Sequence, residues 1–158
     1  MTLSDNPKFH PGFAYSPGHR VELTGKATIV QFAGTLFFNA TTFHALSANL
    51  TTHELNRLVW APDALGSTCF LIASGLAWFE VRGAVGCWRF RSLPWWITAL
   101  NLLGSIAFGV SAVASYVVST TGLPRNIMLV NLGTFVGALC FFIGAVLLLP
   151  ECTASNSN

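Results

Sequence analysis

Two long runs of the chain, residues 95–118 and 127–149, contain no Asp, Glu, Lys, Arg or His side chain. A helix needs about 20 apolar residues to cross a hydrocarbon core of roughly 30 Å. Two further stretches, residues 27–50 and 58–80, have the length of a span and much of its apolar content. We therefore predict an all-α membrane protein with four transmembrane helices.

The composition supports lipid as the solvent of the chain. Hydrophobic residues make up 53% of the sequence and charged residues only 9%, against about a quarter charged in soluble domains. The first two predicted spans are nevertheless less apolar than the last two. Gln31, Asn39 and His44 interrupt the first span, and Pro62 and Asp63 stand near the start of the second.

The two ends of the chain are polar. Residues 1–26 hold charged residues and prolines but no apolar run, which predicts an irregular cytoplasmic arm rather than a signal peptide or a span. Residues 152–158 are expected to form a short polar tail. The transmembrane domain then comprises residues 27–151.

Positive charges are unevenly distributed among the segments that connect the predicted spans. Six of the eight Lys and Arg residues lie in the N-terminal arm or between the second and third spans, and two lie in the other loops. This bias predicts a multi-pass protein of the cell membrane with both termini in the cytoplasm. The charges are too few and too scattered for a nucleic-acid binder.

A glycine is followed four residues later by a phenylalanine in every predicted span, with small residues seven and eight positions after the glycine. The four pairs are Gly34 and Phe38, Gly66 and Phe70, Gly104 and Phe108, and Gly137 and Phe141. These offsets share one helix face, and small residues let helices approach closely in lipid. We expect each ring to lie over the glycine of a neighbouring helix, and Gly133 adds a GxxxG pair in the last span.

The repeat extends beyond the glycine and the phenylalanine. A polar residue stands three positions before each glycine: Gln31, Asp63, Asn101 and Thr134. Fourteen residues after the glycine, the second and fourth spans both reach a glutamate, Glu80 and Glu151. Odd and even spans therefore look like two copies of a helix pair. This pattern predicts an antiparallel bundle of four helices that arose by duplication of a helix pair.

The G-x-x-x-F-x-x-G/S-small helix, its polar lead-in and the ending FFIGAVLLLPE resemble the YrhK-like small membrane proteins, which are short units of two such helices. The resemblance covers most of residues 27–151 as two tandem units. The first helix departs from the pattern at Asn39 and His44, where apolar residues are expected. The resemblance implies no defined activity, cofactor or catalytic residue.

Asp63 is the acidic residue of greatest interest, because carboxylates inside a membrane are costly and usually functional. Its position just after Pro62 favours a different role, the N-cap of the second helix. Handling of protons or cations is the alternative. Arg57 is its candidate ion-pair partner, whereas Gln31 and Asn101 are expected toward the opposite, cytoplasmic side.

Several polar residues of the first span share one face, namely Gln31, Thr35, Asn39 and Thr42. Such a line favours hydrogen bonds between helices or, alternatively, a narrow water-filled path. His44 is the only histidine within a predicted span. We expect a hydrogen-bonded interior histidine there, since a b-type haem commonly needs a second axial histidine on a facing helix.

The four cysteines include no CxxC motif, which argues against a thiol–disulfide carrier. Cys69 and Cys140 occupy the same repeat position and are expected to be small apolar fillers. Clustered zinc ligands, a phosphate-binding loop and a GxSxG motif are all missing from the sequence. We predict no catalytic, cofactor or metal site.

Two functional hypotheses follow. The first is a non-enzymatic structural or accessory subunit in the lipid bilayer, packing with itself or with a larger membrane complex. The second is a small transporter or channel for protons, ions or a small solute. It would use Asp63 and the polar face of the first helix.

Overall fold

The computed structural model describes residues 17–47, 49–85 and 92–155. The described chain forms four helices and contains no β-strand, only an isolated bridge between Val117 and Pro124. The all-helical prediction is confirmed. The helices are α1, Pro17–Ala45; α2, which joins Thr52–Glu54, a π-helical segment Leu55–Trp60 and Ala61–Val85; α3, Leu93–Ala114; and α4, Ile127–Ser155.

Three helical segments are long and apolar enough to cross a membrane: Thr52–Arg82, Leu93–Ala114 and Ile127–Leu149. This indicates a membrane-embedded protein. Within the described residues, α1 is not among them, because its polar side chains lower its hydropathy. Its outward face nevertheless carries large apolar side chains, with Ile29, Phe32 and Phe43 each more than 60% exposed.

Helix α2 begins at Thr52, earlier than the predicted residue 58. Thr51 caps it: its hydroxyl accepts a hydrogen bond from the Glu54 N–H at 3.3 Å, and the Glu54 carboxylate accepts one from the Thr51 N–H at 2.9 Å. This reciprocal pair is a capping box. Asp63 therefore lies inside the helix, and its predicted role as an N-cap is wrong.

Pro62 does not break α2. A proline within a helix removes one N–H donor, and its ring clashes with the carbonyl group four residues earlier, here that of Leu58. The π-helical segment Leu55–Trp60 ends directly before this site, and π-bulges are a common way of accommodating such irregularities. The helix thus runs through the proline without stopping.

Helices α1 and α4 extend beyond the predicted spans. Helix α1 begins at Pro17, so residues 17–26 are helical and not irregular, and α4 continues to Ser155 into the expected tail. Hydropathy identifies only the part of a helix that can contact lipid. A helix can continue beyond that part through polar residues, so the predicted spans are shorter than the helices. The expectations for residues 1–16, 86–91 and 156–158 lie outside the described residues.

Helices α1 and α2 pack through reciprocal contacts between phenylalanine rings and glycines. A Cβ atom at Gly34 would lie 2.8 Å from Cδ1 of Phe70, and one at Gly66 would lie 3.1 Å from the ring of Phe38. The glycines themselves meet, since the same Cβ at Gly66 would lie 3.1 Å from the carbonyl oxygen of Gly34. Only a residue without a side chain lets the backbones come this close.

Helices α3 and α4 repeat this arrangement. A Cβ at Gly104 would lie 3.0 Å from the ring of Phe141, and one at Gly137 would lie 3.1 Å from both the ring of Phe108 and the Gly104 carbonyl oxygen. A hydrogen bond is also repeated between the two pairs. The Thr41 hydroxyl of α1 donates to a carbonyl oxygen of α2, and the Ser111 hydroxyl of α3 donates to the equivalent one of α4.

The four phenylalanines of the repeat meet in one cluster between the two helix pairs. Within the pairs, the ring centroids of Phe38 and Phe70 are 5.1 Å apart and those of Phe108 and Phe141 5.7 Å apart. Across the pairs, the distances are 5.5 Å from Phe38 to Phe108 and 5.4 Å from Phe70 to Phe141. These separations are typical of favourable aromatic contacts.

Serine side chains join α2 to α3 beside this cluster. Ser105 is fully buried, and its hydroxyl lies 2.7 Å from that of Ser74. The same hydroxyl is 3.1 Å from the Phe70 carbonyl oxygen and 2.8 Å from that of Asn101. Short side chains with internal partners allow close helix packing without an unsatisfied polar group.

Aromatic pairs stand near both ends of α2. Trp60 contacts Tyr116 at one end, and Trp78 contacts Trp95 at the other, with centroid distances of 5.1 and 5.5 Å. At 1.5 Å per residue, the 18 residues from Trp60 to Trp78 span about 27 Å. This agrees with the roughly 30 Å hydrocarbon core that interfacial aromatic residues usually flank.

Candidate functional site

Asp63 lines a cavity of about 300 Å³ between the helices. It is half-buried and lies one turn further into the helix than Trp60. The wall combines hydroxyl groups with aromatic and aliphatic side chains. The lining residues are Phe38, Thr41, Thr42, Leu55, Val59, Trp60, Asp63, Phe108, Ser111, Ser115, Val117, Val130 and Thr134.

The hydroxyl groups of α1 in this cavity already use their protons. Thr41 donates to the Val59 carbonyl oxygen at 3.2 Å, and Thr42 donates to that of Phe38 at 2.9 Å. Each hydroxyl has only one proton but two lone pairs. Both oxygens therefore retain the capacity to accept a hydrogen bond and not to donate another.

The hydroxyl groups of α3 and α4 are occupied in the same way. Ser111 donates to the Val130 carbonyl oxygen at 2.9 Å, so Thr134, whose hydroxyl is also 2.9 Å from that of Ser111, is left as the donor of their shared hydrogen bond. The indole N–H of Trp60 donates to the Ala112 carbonyl oxygen at 2.8 Å. These groups offer no free donor to the cavity.

Ser115 also lines the cavity with Asp63. Its hydroxyl donates to the Ala112 carbonyl oxygen at 2.9 Å, so its single proton is engaged as well. Around one acidic group, the hydroxyls of the described wall are therefore available as acceptors, and the rest of the wall is aromatic and aliphatic.

Arg57 does not neutralise Asp63. Its side chain is exposed and lines a separate depression with His53, Asn56 and Tyr116. No salt bridge between the two residues is present, so the predicted ion pair is wrong. The two residues are six apart, which places them on different faces of a regular helix.

A second polar cavity, of about 450 Å³, lies on the other side of the phenylalanine cluster. It is lined by Gln31, Asn101, Glu80 and Ser74 together with apolar residues. Gln31 and Asn101 are thus near each other and away from Asp63, as expected from the register. The carboxylates of Asp63 and Glu80 belong to different cavities, about 25 Å apart along the helix.

The remaining polar residues of α1 do not form the expected line between helices. Thr35, Asn39 and Thr42 are exposed. The Thr35 and Thr42 hydroxyls donate to carbonyl oxygens of their own helix, at 2.6 and 2.9 Å. The hydrogen bond from α1 to α2 comes instead from Thr41, which shares the face of the packing glycine.

His44 is half-buried, and its ring contacts the edge of Phe43 at a centroid distance of 5.7 Å. Its imidazole makes no hydrogen bond with the described residues, which contradicts the expected hydrogen-bonded interior histidine. Its place in the last turn of α1 explains the difference, because a side chain at the end of a helix is less enclosed by neighbouring helices.

The cysteines within the described side chains are packing residues. Cys140 is buried and Cys69 half-buried, both as free thiols. The Cβ of Cys69 lies against Gly34 and that of Cys140 against Gly104. In the part of the chain that the structure describes, no three His, Cys, Asp or Glu side chains are grouped as metal ligands.

Comparison of the chain with protein-family models, with curated proteins and with solved structures finds no match. The YrhK-like resemblance therefore stays a prediction. Two features were not predicted from the sequence: the position of Ser115 in the wall of the Asp63 cavity and the Thr51–Glu54 cap. The sequence TTHE carried the signal for the cap, whereas no local signal marks Ser115, because its position depends on how the helices pack.

Proposed function

We propose that this protein is a non-enzymatic, multi-pass membrane protein with a structural or accessory role. The observation that carries the proposal is the reciprocal Phe-over-Gly packing, which occurs once in each helix pair and joins the pairs through a single aromatic cluster. Such an interior serves to hold four helices in a fixed arrangement. The apolar outer faces remain for lipid and for other membrane helices.

The proposal includes four membrane spans formed by a duplicated helix pair. The contact of Gly34 with Gly66 supports the inclusion of α1, since it sets the two helices side by side. The exposed residues of α1 include Ile29, Phe32, Leu36 and Phe43. The Thr35 and Thr42 hydroxyls donate to backbone carbonyls of their own helix, which reduces the cost of lipid contact. The charge bias favours a cytoplasmic location for both termini.

The native size of the protein tests the accessory role. The tagged chain is extracted in mild detergent from membranes of its own organism, and its mass is compared with that of the purified chain. A larger, defined assembly supports an accessory or self-associating role. An identical monomeric mass in both preparations contradicts it.

A second candidate function is transport of a small cation. Its support is the pair of polar cavities on opposite sides of the phenylalanine cluster, each with one carboxylate, Asp63 and Glu80. Internal repeats are common in transporters. Cation-dependent flux into liposomes that is lost in Asp63→Asn would favour this function, and absence of flux with the folded protein would reject it.

A further inference from the structure

The Asp63 cavity needs hydrogen-bond donors from whatever occupies it. The Thr41, Thr42, Ser111 and Thr134 hydroxyls have donated their protons elsewhere, and the Trp60 N–H is also engaged. A ligand that only accepts hydrogen bonds, such as an anion or a carbonyl compound, would face the lone pairs of the hydroxyls and the carboxylate of Asp63. A cation that carries N–H groups balances the charge of the carboxylate and donates hydrogen bonds to these lone pairs.

The size and lining of the cavity select the kind of cation. A volume of about 300 Å³ equals that of roughly ten water molecules, far more than a bare metal ion fills. Phe38, Phe108 and Trp60 line it together with aliphatic side chains. Aromatic walls suit an organic body and also attract cations.

We propose that the cavity formed by Asp63, the surrounding hydroxyls and the aromatic wall binds a compact primary alkylammonium ion. The ammonium group lies against Asp63 and uses its three N–H donors on the carboxylate and on hydroxyl oxygens. The short alkyl chain packs against the phenylalanines and Trp60. A quaternary ammonium ion has the charge but no N–H donor, so it fits this site less well.

The alkylammonium site names a ligand for the second candidate function. Movement of that ligand across the membrane rests on the proposed transport function, whereas its binding does not. The site lies on the side of the phenylalanine cluster marked by Trp60 and Arg57. Under the proposed topology this is the outer side of the membrane. Saturable binding without flux into liposomes would support the binding site and contradict transport only.

Isothermal titration calorimetry on the full chain in detergent micelles tests the proposal. The titrants are ethylammonium chloride, tetramethylammonium chloride and sodium chloride, in HEPES buffer because Tris is itself a primary amine. We expect saturable binding of ethylammonium, and binding of tetramethylammonium and sodium that is weaker by about tenfold or more, since charge-assisted hydrogen bonds are lost.

Asp63→Asn removes the charge with little change of shape and should weaken ethylammonium binding by about tenfold or more. Glu54→Gln is the matched control, because it removes a carboxylate that lines neither cavity, keeps an acceptor for the Thr51 cap and should leave the affinity unchanged. Melting curves by circular dichroism establish that both variants are folded. If Asp63→Asn does not fold, the comparison of titrants on the unmodified chain still decides.

Three results would overturn the proposal. One is no saturable binding of ethylammonium to the folded chain. Another is tetramethylammonium or sodium binding at least as tightly as ethylammonium, which would mean that the site does not recognise N–H donors. The third is equal loss of affinity in Asp63→Asn and Glu54→Gln.

Discussion

Replacing Gly133 by alanine should force helices α3 and α4 apart. A Cβ at this position would lie 2.7 Å from the Ala107 carbonyl oxygen and 3.0 Å from the Cβ of Ser111. Neither contact involves the end of a flexible side chain that could turn away. An ordinary van der Waals contact begins at 3.4 Å, so the backbones must separate locally by 3.4 − 2.7 = 0.7 Å.

This separation is large enough to disrupt the nearby hydrogen bonds. Ser111 lies 2.9 Å from both the Val130 carbonyl oxygen and the Thr134 hydroxyl, and a shift of 0.7 Å lengthens such contacts to about 3.6 Å, beyond the range of a hydrogen bond. Two lost hydrogen bonds cost about 1–3 kcal/mol. Alanine's helix propensity returns about 1 kcal/mol, which leaves a net loss of about 0–2 kcal/mol.

Gly75→Ala is the matched control, because a Cβ at Gly75 meets no atom within 4 Å. It has the same helical propensity gain without the clash, so its melting temperature should stay level or rise. The two variants then differ by about 1–3 kcal/mol, the cost of the lost hydrogen bonds. At about 2–4 °C per kcal/mol for a chain of this size, Gly133→Ala should melt about 2–12 °C below Gly75→Ala, by circular dichroism in detergent. Equal shifts in the two variants would refute the packing assigned to Gly133.

Larger side chains and the helix ends give further tests. Gly137→Leu should abolish the pairing of α3 with α4, seen as loss of a cooperative melt, whereas the exposed Leu148 should tolerate Leu148→Ile. Thr51→Ala should cost about 1 kcal/mol through the lost cap and lower the melting temperature; an unchanged value would argue against the capping box. In a chain without its native cysteines, Ser119→Cys should react with an impermeant thiol reagent outside intact cells and Ser155→Cys should not. The reverse pattern would overturn the proposed orientation.

The spacing of small and aromatic residues predicted the helix contacts well. Glycine at one position and phenylalanine four residues later occupy one face of a helix, and this is a local property that the sequence displays directly. The structure places Phe70 over Gly34 and Phe141 over Gly104, the contacts that the repeat implied. Which rings would cross between the pairs was not predictable, because that depends on how α2 lies against α3.

The start of α2 shows how a hydropathy pattern can mislead. Pro62 and Asp63 looked like a boundary, since a proline and an acid at the edge of an apolar run are typical of a helix N-terminus. The capping box at Thr51 and the π-helical turn before Pro62 move that boundary by three turns. The consequence reaches the candidate site, because it changes Asp63 from a capping residue into part of a cavity wall.

The polar residues of α1 were misjudged for a different reason. A sequence pattern identifies the face of a helix on which they lie, but not where each side chain finds a partner. Thr35 and Thr42 turn back to their own backbone, and His44 lies close enough to the end of α1 to need no partner inside. Only the adjacent Thr41, on the glycine face, reaches the neighbouring helix.

Each helix pair carries its own complete set of Phe–Gly contacts, so the covalent link between α2 and α3 is not what holds either pair together. Two separately expressed fragments, cut between residues 85 and 92, should each insert as a hairpin and then reassociate through the four aromatic rings and the Ser74–Ser105 hydrogen bond. We therefore expect the protein to tolerate a break in this segment far better than a bulky substitution at one of the packing glycines.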